Sequence, residues 1–294
     1  MTKKSGRKDR SAAKSDPPRT FAQALRVDQG FVLADLDPES TPGFPGGKAL
    51  GEKRFATRAS GISELQERLF AESREGGRRS LLLVIQGMDT SGKGGLMRHV
   101  VGQADPQGVR HTAFKAPSAE EREHDFLWRI RKALPVAGEI GVFDRSHYED
   151  VLIVRVHDIV PRAEWMTRYD LINAFEREVA ASGTTIVKVM LHISKDEQKL
   201  RLAERLDRPD KYWKYNPGDI AEREHWDDYM TAYQAALSTC STLGAPWYVV
   251  PANRKWYARL AVQELLIEAL EQMDPQWPAA DFDIAVEKSR LAAS

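Results

Sequence analysis

The chain has 294 residues, 42% hydrophobic and 29% charged, with Lys plus Arg and Asp plus Glu balanced at 43 each. That balance excludes a protein held on nucleic acid by bulk charge, but a local cationic groove stays open because binding answers to the local field. The single cysteine, Cys240, excludes an internal disulfide, and the seven histidines add no zinc-ligand spacing. No apolar run approaches a membrane span and no secretory stretch opens the chain, so the expected setting is cytoplasmic, away from membranes.

Residues 1–19 carry seven Lys or Arg and almost nothing apolar, the composition of a disordered tail. Residues 1–36 are read as this basic tail and the start of an arm. Residues 37–79 are read as an extension. Its Pro- and Gly-rich stretch 37–51 is expected to be extended, and Ile62, Leu65, Leu69 and Phe70 recur at helical spacing.

From Ser80 strands and helices alternate. Leu81 to Ile85 is a continuous apolar run, the pattern of a strand buried on both faces. Further strands are expected at Val109–Phe114, Ile140–Phe143, Thr184–Ile193 and Trp247–Val250. Helical patterns fall near 94–103, 119–133, 162–181, 195–206, 220–240 and 255–272. Five strands separated by helices predict an α/β fold with a parallel sheet and helices on both faces. The domain is placed at 80–276, with a weakly patterned tail at 277–294.

The most specific motif is Gly87-Met88-Asp89-Thr90-Ser91-Gly92-Lys93-Gly94-Gly95, after a strand and before a helix. Gly87 and Gly92 permit a tight turn whose backbone N–H groups point inward. The loop Gly87, Met88, Thr90, Ser91, Gly92, Gly94 and Gly95 is therefore the candidate phosphate cradle. The following helix adds its positive dipole end, and Lys93 adds a mobile charge. The usual Ser or Thr after the lysine, a Mg²⁺ ligand, is replaced by Gly94. Asp89 instead places a carboxylate inside an anion-binding loop. It is read as a Mg²⁺ ligand, with helix capping as the alternative role.

Asp144 ends an apolar strand, at the sheet edge where such folds bind ligands, and is the second candidate metal carboxylate. Arg145 follows and could fork onto phosphate oxygens. His147 is read as structural or substrate-orienting. Arg201, Arg205, Arg208, Lys211 and Lys214 form a basic run broken by Pro209, read as a cationic lid; a solvated helix face is the alternative. Trp226, Tyr229, Tyr233, Leu237 and Cys240 are read as core packing.

Gly87–Gly95, Phe143-Asp144-Arg145-Ser146, Arg205 to Pro209 with Lys211 to Lys214, and Ala245-Pro246-Trp247 resemble family-2 polyphosphate kinases over about residues 42–276. The resemblance implies a three-layer P-loop kinase fold with a helical lid near 201–218. It implies Mg²⁺-dependent, direct phosphoryl transfer between inorganic polyphosphate and ADP/ATP, without a covalent enzyme intermediate, in a homo-oligomer. Asp89, Lys93, Asp144, Arg145 and Arg205 would be the catalytic set; Arg208, Lys211 and Lys214 would bind phosphate. The stretches Phe114–Ser118, His124–Arg129 and His147–Leu152 resemble a branch that also takes AMP. Lys115, Arg129, Tyr148 and Glu149 are carried along as candidate nucleotide contacts. An ATP-dependent kinase of nucleoside monophosphates or small metabolites shares these features, and a non-catalytic binding module would keep the groove but lose the carboxylates.

Overall fold

The computed structural model describes residues 20–294; the expected disorder of residues 1–19 lies outside the described residues. Thr20 opens helix α1 (Phe21–Leu25) through a capping box with Gln23. Phe21, Leu25, Val27 and Leu33 then bury against the main core. The expected extended arm ends early. Helix α2 (Lys48–Arg74) starts inside it and runs for 27 residues, burying Ile62 and Leu69.

Strand β1 (Ser80–Gly87) is buried along its whole length. Helix α3 (Lys93–His99) follows the loop after it and is shorter than the pattern predicted. Val101–Gln103 tighten into a 3₁₀ turn instead. Strand β2 (Val109–Ala113) comes next, and the helix expected over 119–133 is broken, with a 3₁₀ turn at Glu121–Glu123. Only α4 (Trp128–Ala133) is α-helical there. The Asp125 carboxylate accepts from the Leu127 N–H (3.0 Å), a local turn that competes with a continuous helix.

Strand β3 (Ile140–Asp144) leads into a 3₁₀ turn and α5 (Ile153–Val156). Helix α6 (Arg162–Ala181), strand β4 (Thr184–His192) and helix α7 (Lys195–Leu206) fall where the patterns place them. After α7, Pro209 begins a 3₁₀ turn to Lys214, followed by α8 (Gly218–Glu222) and α9 (Trp226–Cys240). Strand β5 (Trp247–Pro251) and helix α10 (Lys255–Met273) close the domain. Beyond it, Asp283 caps an exposed helix α11 (Ile284–Ala292) within the weakly patterned tail.

All five strands are parallel, in the order β2-β3-β1-β4-β5. The apolar runs explain this, since a strand covered by helices on both faces needs no polar alternation. Register then sets the chemistry. Ile85 pairs with Asp144, so the end of β3 lies beside the loop after β1. The Arg145 N–H donates to Ile85 O (3.0 Å) and carries that pairing one residue further. Helix α10 packs on β4 and β5, and α2 packs against α10. Glu264, 2% exposed, ties them through Arg54 at 2.7 Å. No described helix is long and apolar enough to cross a membrane.

Candidate active site

The loop after β1 turns back on itself because three of its residues take left-handed backbone. Gly87 (φ 146°), Thr90 (φ 65°) and Gly92 (φ 118°) all lie there. Thr90 is strained in this conformation, as is Arg145 (φ 65°) across the site. Non-glycine outliers of this kind persist only where the surroundings hold them.

The surroundings here are two side chains of α7. Gln198 Nε2 donates to Asp89 O (3.0 Å). Arg201 donates to Thr90 O (2.9 Å) and Ser91 O (3.0 Å) with one nitrogen, and to Ala252 O (2.6 Å) and Asn253 O (3.0 Å) with the other. This clamp takes up the loop carbonyls from behind. The hydroxyls of Thr90 and Ser91 are buried without a partner. Arg201 is therefore no part of a phosphate-binding lid. It is 6% exposed, with both terminal nitrogens on backbone carbonyls and its Nε on Glu197 Oε1 (2.6 Å), which corrects its reading from the basic run.

Lys93 Nζ curls onto its own loop, donating to Gly87 O (2.8 Å) and Met88 O (3.4 Å). Burial lowers its pKa, against the pull of Asp89 and Asp144. Arg145 Nη2 donates to Asp89 Oδ1 at 2.9 Å, and Arg145 Nη1 lies 3.8 Å from Glu149 Oε2. Burial opposes the charge on Arg145, but Glu149 and Asp89 outweigh it and raise the pKa. Burial likewise raises the Glu149 pKa, opposed by Arg145 and Lys93.

Two cavities meet at Asp89. The larger is a cleft of about 700 Å³ lined by the loop, Asp144, and the cations Lys93, Arg98, Arg205, Lys211, Lys214, Lys255 and Arg259. The smaller, about 250 Å³, lies on the other side of Asp89 and Arg145. Glu149, Asn216, Asp219, Glu222, Tyr229 and Tyr233 line it. The lid cations are paired. Arg205 donates to Lys214 O (2.7 Å) and Asp219 Oδ2 (3.3 Å). Arg208 reaches Asp210 at 2.8 Å. Lys214 sits 4.8 Å from the Trp213 ring centre.

The structure thus brings Asp89, Lys93, Asp144, Arg145, Arg205 and Glu149 together, with Lys211 and Lys214 on the same cleft. It does not bring in four of the other candidates, the first being Arg208, which pairs with Asp210 and lines neither cavity. Tyr148 is fully buried; its hydroxyl donates to Glu176 (2.8 Å) and accepts from Lys188 (2.8 Å). Its neighbour His147 is structural, with Nε2 3.1 Å from Glu176 Oε1. Lys115 and Arg129 line a separate depression along β2, where Arg129 donates to Lys115 O (2.8 Å). β2 is an outer strand of the sheet, and this depression shares no lining residue with the two cavities at Asp89.

Several lining residues were missed. Lys255 and Arg259 stand one turn apart at the start of α10, just past the last strand, which is a visible signal for the ligand edge. Tyr229 and Tyr233 are core residues, as their spacing says, yet both also face the small cavity. Tyr229 OH donates to Glu222 at 2.7 Å.

The family profile of polyphosphate kinase 2 (PPK2) matches residues 48–278. The chain belongs to the polyphosphate kinase 2 family. It is 46% identical over 254 residues to the AMP/ADP-polyphosphate phosphotransferase of Meiothermus ruber, covering 86% of this chain and 94% of that protein. It is 43% identical to the ADP-polyphosphate phosphotransferase of Rhodopseudomonas palustris, covering 86% of this chain and 89% of that one. The crystal structure of polyphosphate kinase 2 from Arthrobacter aurescens TC1 superposes with a TM-score of 0.91 at 58% identity. That match covers 94% of this chain and 99% of the other. The chain has the expected parallel five-stranded sheet with flanking helices.

Proposed function

We propose that the protein transfers a phosphoryl group directly between inorganic polyphosphate and a nucleotide, with ADP and AMP as acceptors and ATP formed from ADP. The observation that carries this is the pair of unlike cavities joined at Asp89. The cationic cleft suits a long polyanion. The smaller cavity, with tyrosine rings and hydrogen-bonding side chains, suits a nucleoside. Their junction at Arg145 and Asp89 is where donor and acceptor phosphates would meet.

The donor set fits Mg²⁺. Asp89 and Asp144 line one cleft, and no cluster of three or more His, Cys, Asp or Glu suited to a metal occurs among the described residues. Two carboxylates without an all-protein cage match an ion that keeps waters and takes substrate phosphates. The partnerless hydroxyls of Thr90 and Ser91 offer contacts to such waters or phosphates. When bound, the ion would offset the charge of donor and acceptor phosphates.

The chain's own groups do the rest. Two unit charges about 4 Å apart repel by roughly 4 kcal/mol at an effective dielectric of 20, so approaching phosphates need cations. Lys93, Arg145 and Arg205 supply them at the transfer point. In the transfer, the anhydride P–O bond of the polyphosphate end breaks as a nucleotide phosphate oxygen bonds to that phosphorus. The acceptor oxygen is already ionised, so no general base is needed. This agrees with a buried His147 whose pKa is lowered by burial.

Luminescent ATP detection after mixing the protein with ADP, polyphosphate and Mg²⁺ tests the reading; AMP in place of ADP, with ADP read out, tests the wider acceptor range. Lys93→Ala is expected to reduce turnover by about 10²-fold or more, and Asp89→Asn to shift the Mg²⁺ titration. Activity only with ATP as donor would overturn the proposal.

A further inference from the structure

The cleft is lined by three carboxylates, and the mechanism uses two of them. The third, Glu204 near the end of α7, has no part in metal binding or transfer. Its Oε1 lies 2.5 Å from Lys211 Nζ and 3.5 Å from Arg208 Nη1, and its Oε2 lies 3.3 Å from Lys255 Nζ. Arg208 and Lys211 belong to the turn after α7. Lys255 opens α10, on the far side of β5. One carboxylate therefore draws cations of the lid turn and of the core onto itself.

We propose that Glu204 is an internal stand-in for a polyphosphate unit, gathering these cations until the polyanion displaces it. This rests on the reading of the cleft as the polyphosphate site. A carboxylate offers two oxygens and a negative charge, which is also what a non-bridging pair of phosphate oxygens offers a lysine or arginine. Glu204 is 39% exposed on its side chain, so ions in the cleft reach it. Exposed ion pairs of this kind are weak, and a phosphate chain contacting Lys211 and Lys255, which line the cleft with Glu204, can replace them.

Glu204 stays ionised at any working pH. The hydrogen bond from Lys211 leads in holding its pKa down to about 2, with Lys255 contributing. Protonation therefore does not relieve its competition with an incoming polyanion. The exchange makes Glu204 a determinant of polyphosphate affinity rather than a catalytic residue.

The test is steady-state kinetics of wild type and Glu204→Gln with polyphosphate and ADP varied separately. The KM for polyphosphate is expected to fall by about fivefold in the Gln variant, the scale of one exposed charge pair. The KM for ADP is expected to stay put. The gain should shrink as salt is raised, because the competing charges are exposed. Glu204→Asp, which keeps the charge, should stay near wild type, and thermal melts confirm folding of each variant. An unchanged or raised polyphosphate KM in the Gln variant overturns the proposal, since Glu204 would then be positioning the cations rather than occupying them. An equal fall in both KM values also overturns it. Wild type inactive with polyphosphate but active with ATP as donor refutes the assignment of the cleft itself, a distinct result.

Discussion

Arg201→Met is the most informative change, because it separates a clamp from a substrate contact. The guanidinium joins two carbonyls of the phosphate loop to two carbonyls beyond β5, at 2.6–3.0 Å. Hydrogen bonds to a charged group contribute about 1.5–3 kcal/mol each. The four share one side chain and are not additive. Some freed carbonyls lie at the cleft and regain water. A total loss of about 3–5 kcal/mol follows, in line with breaking a buried charged network. For a chain of this size each kcal/mol moves Tm by roughly 2–4 °C, so a drop of roughly 6–20 °C is expected. The loop would also lose what holds Thr90 in its left-handed conformation, so kcat should fall with stability. Differential scanning fluorimetry beside the luminescent ATP assay reads both. A variant melting within about 1 °C of wild type, with only the polyphosphate KM raised, would show that Arg201 binds substrate.

Three more outcomes can be checked. Lys188→Met strands the buried Glu176 carboxylate, now 2.5 Å from Lys188 Nζ. It should cost about 3–5 kcal/mol in urea unfolding, with part recovered when Glu176→Leu is added; a single variant as stable as wild type contradicts this. Burial lowers the His192 pKa to about 4, against about 6.5 when unfolded. The unfolded chain therefore takes up the proton first as pH falls. Stability complete above about pH 6.5 is lost toward pH 4, by about 2 kcal/mol between pH 7 and 5, and His192→Gln should flatten that slope. Gly87→Ala places a Cβ 2.7 Å from Leu191 O at a φ of 146°. It should destabilise by roughly 2 kcal/mol or more and silence transfer; an active, equally stable variant would mean that the loop tolerates a side chain there.

Most of the fold was legible because its signals are local. A continuous apolar run such as Leu81–Ile85 is short for a helix and closes on a glycine turn, and those two features together mark a covered strand. The glycines and lysine of the phosphate loop carry their geometry with them. The short elements were less legible. The 119–133 segment has helical spacing, but the turn made by Asp125 defeats it, and no periodicity count registers one side-chain hydrogen bond.

The side chains that were misread share a different cause. Arg201 and Arg205 stand four residues apart on one helix, in one basic run. Both line the cleft, but the first is drawn onto carbonyls at Thr90 and Ala252, more than 50 residues away on either side, while the second bonds within the lid to Lys214 O and Asp219. Tyr148 and Glu149 are neighbours, yet a 3₁₀ turn sends one into the core and the other to Arg145. The ammonium of Lys188 sits in the middle of an otherwise apolar strand, and only the approach of Glu176, Tyr148 and the Cys240 carbonyl makes that position tolerable. In each case a charged or polar group is assigned by partners that folding supplies from a distance. Residue type and spacing locate the sheet edge; which cation is free to meet a phosphate there is decided by how many backbone carbonyls and carboxylates have already claimed the others.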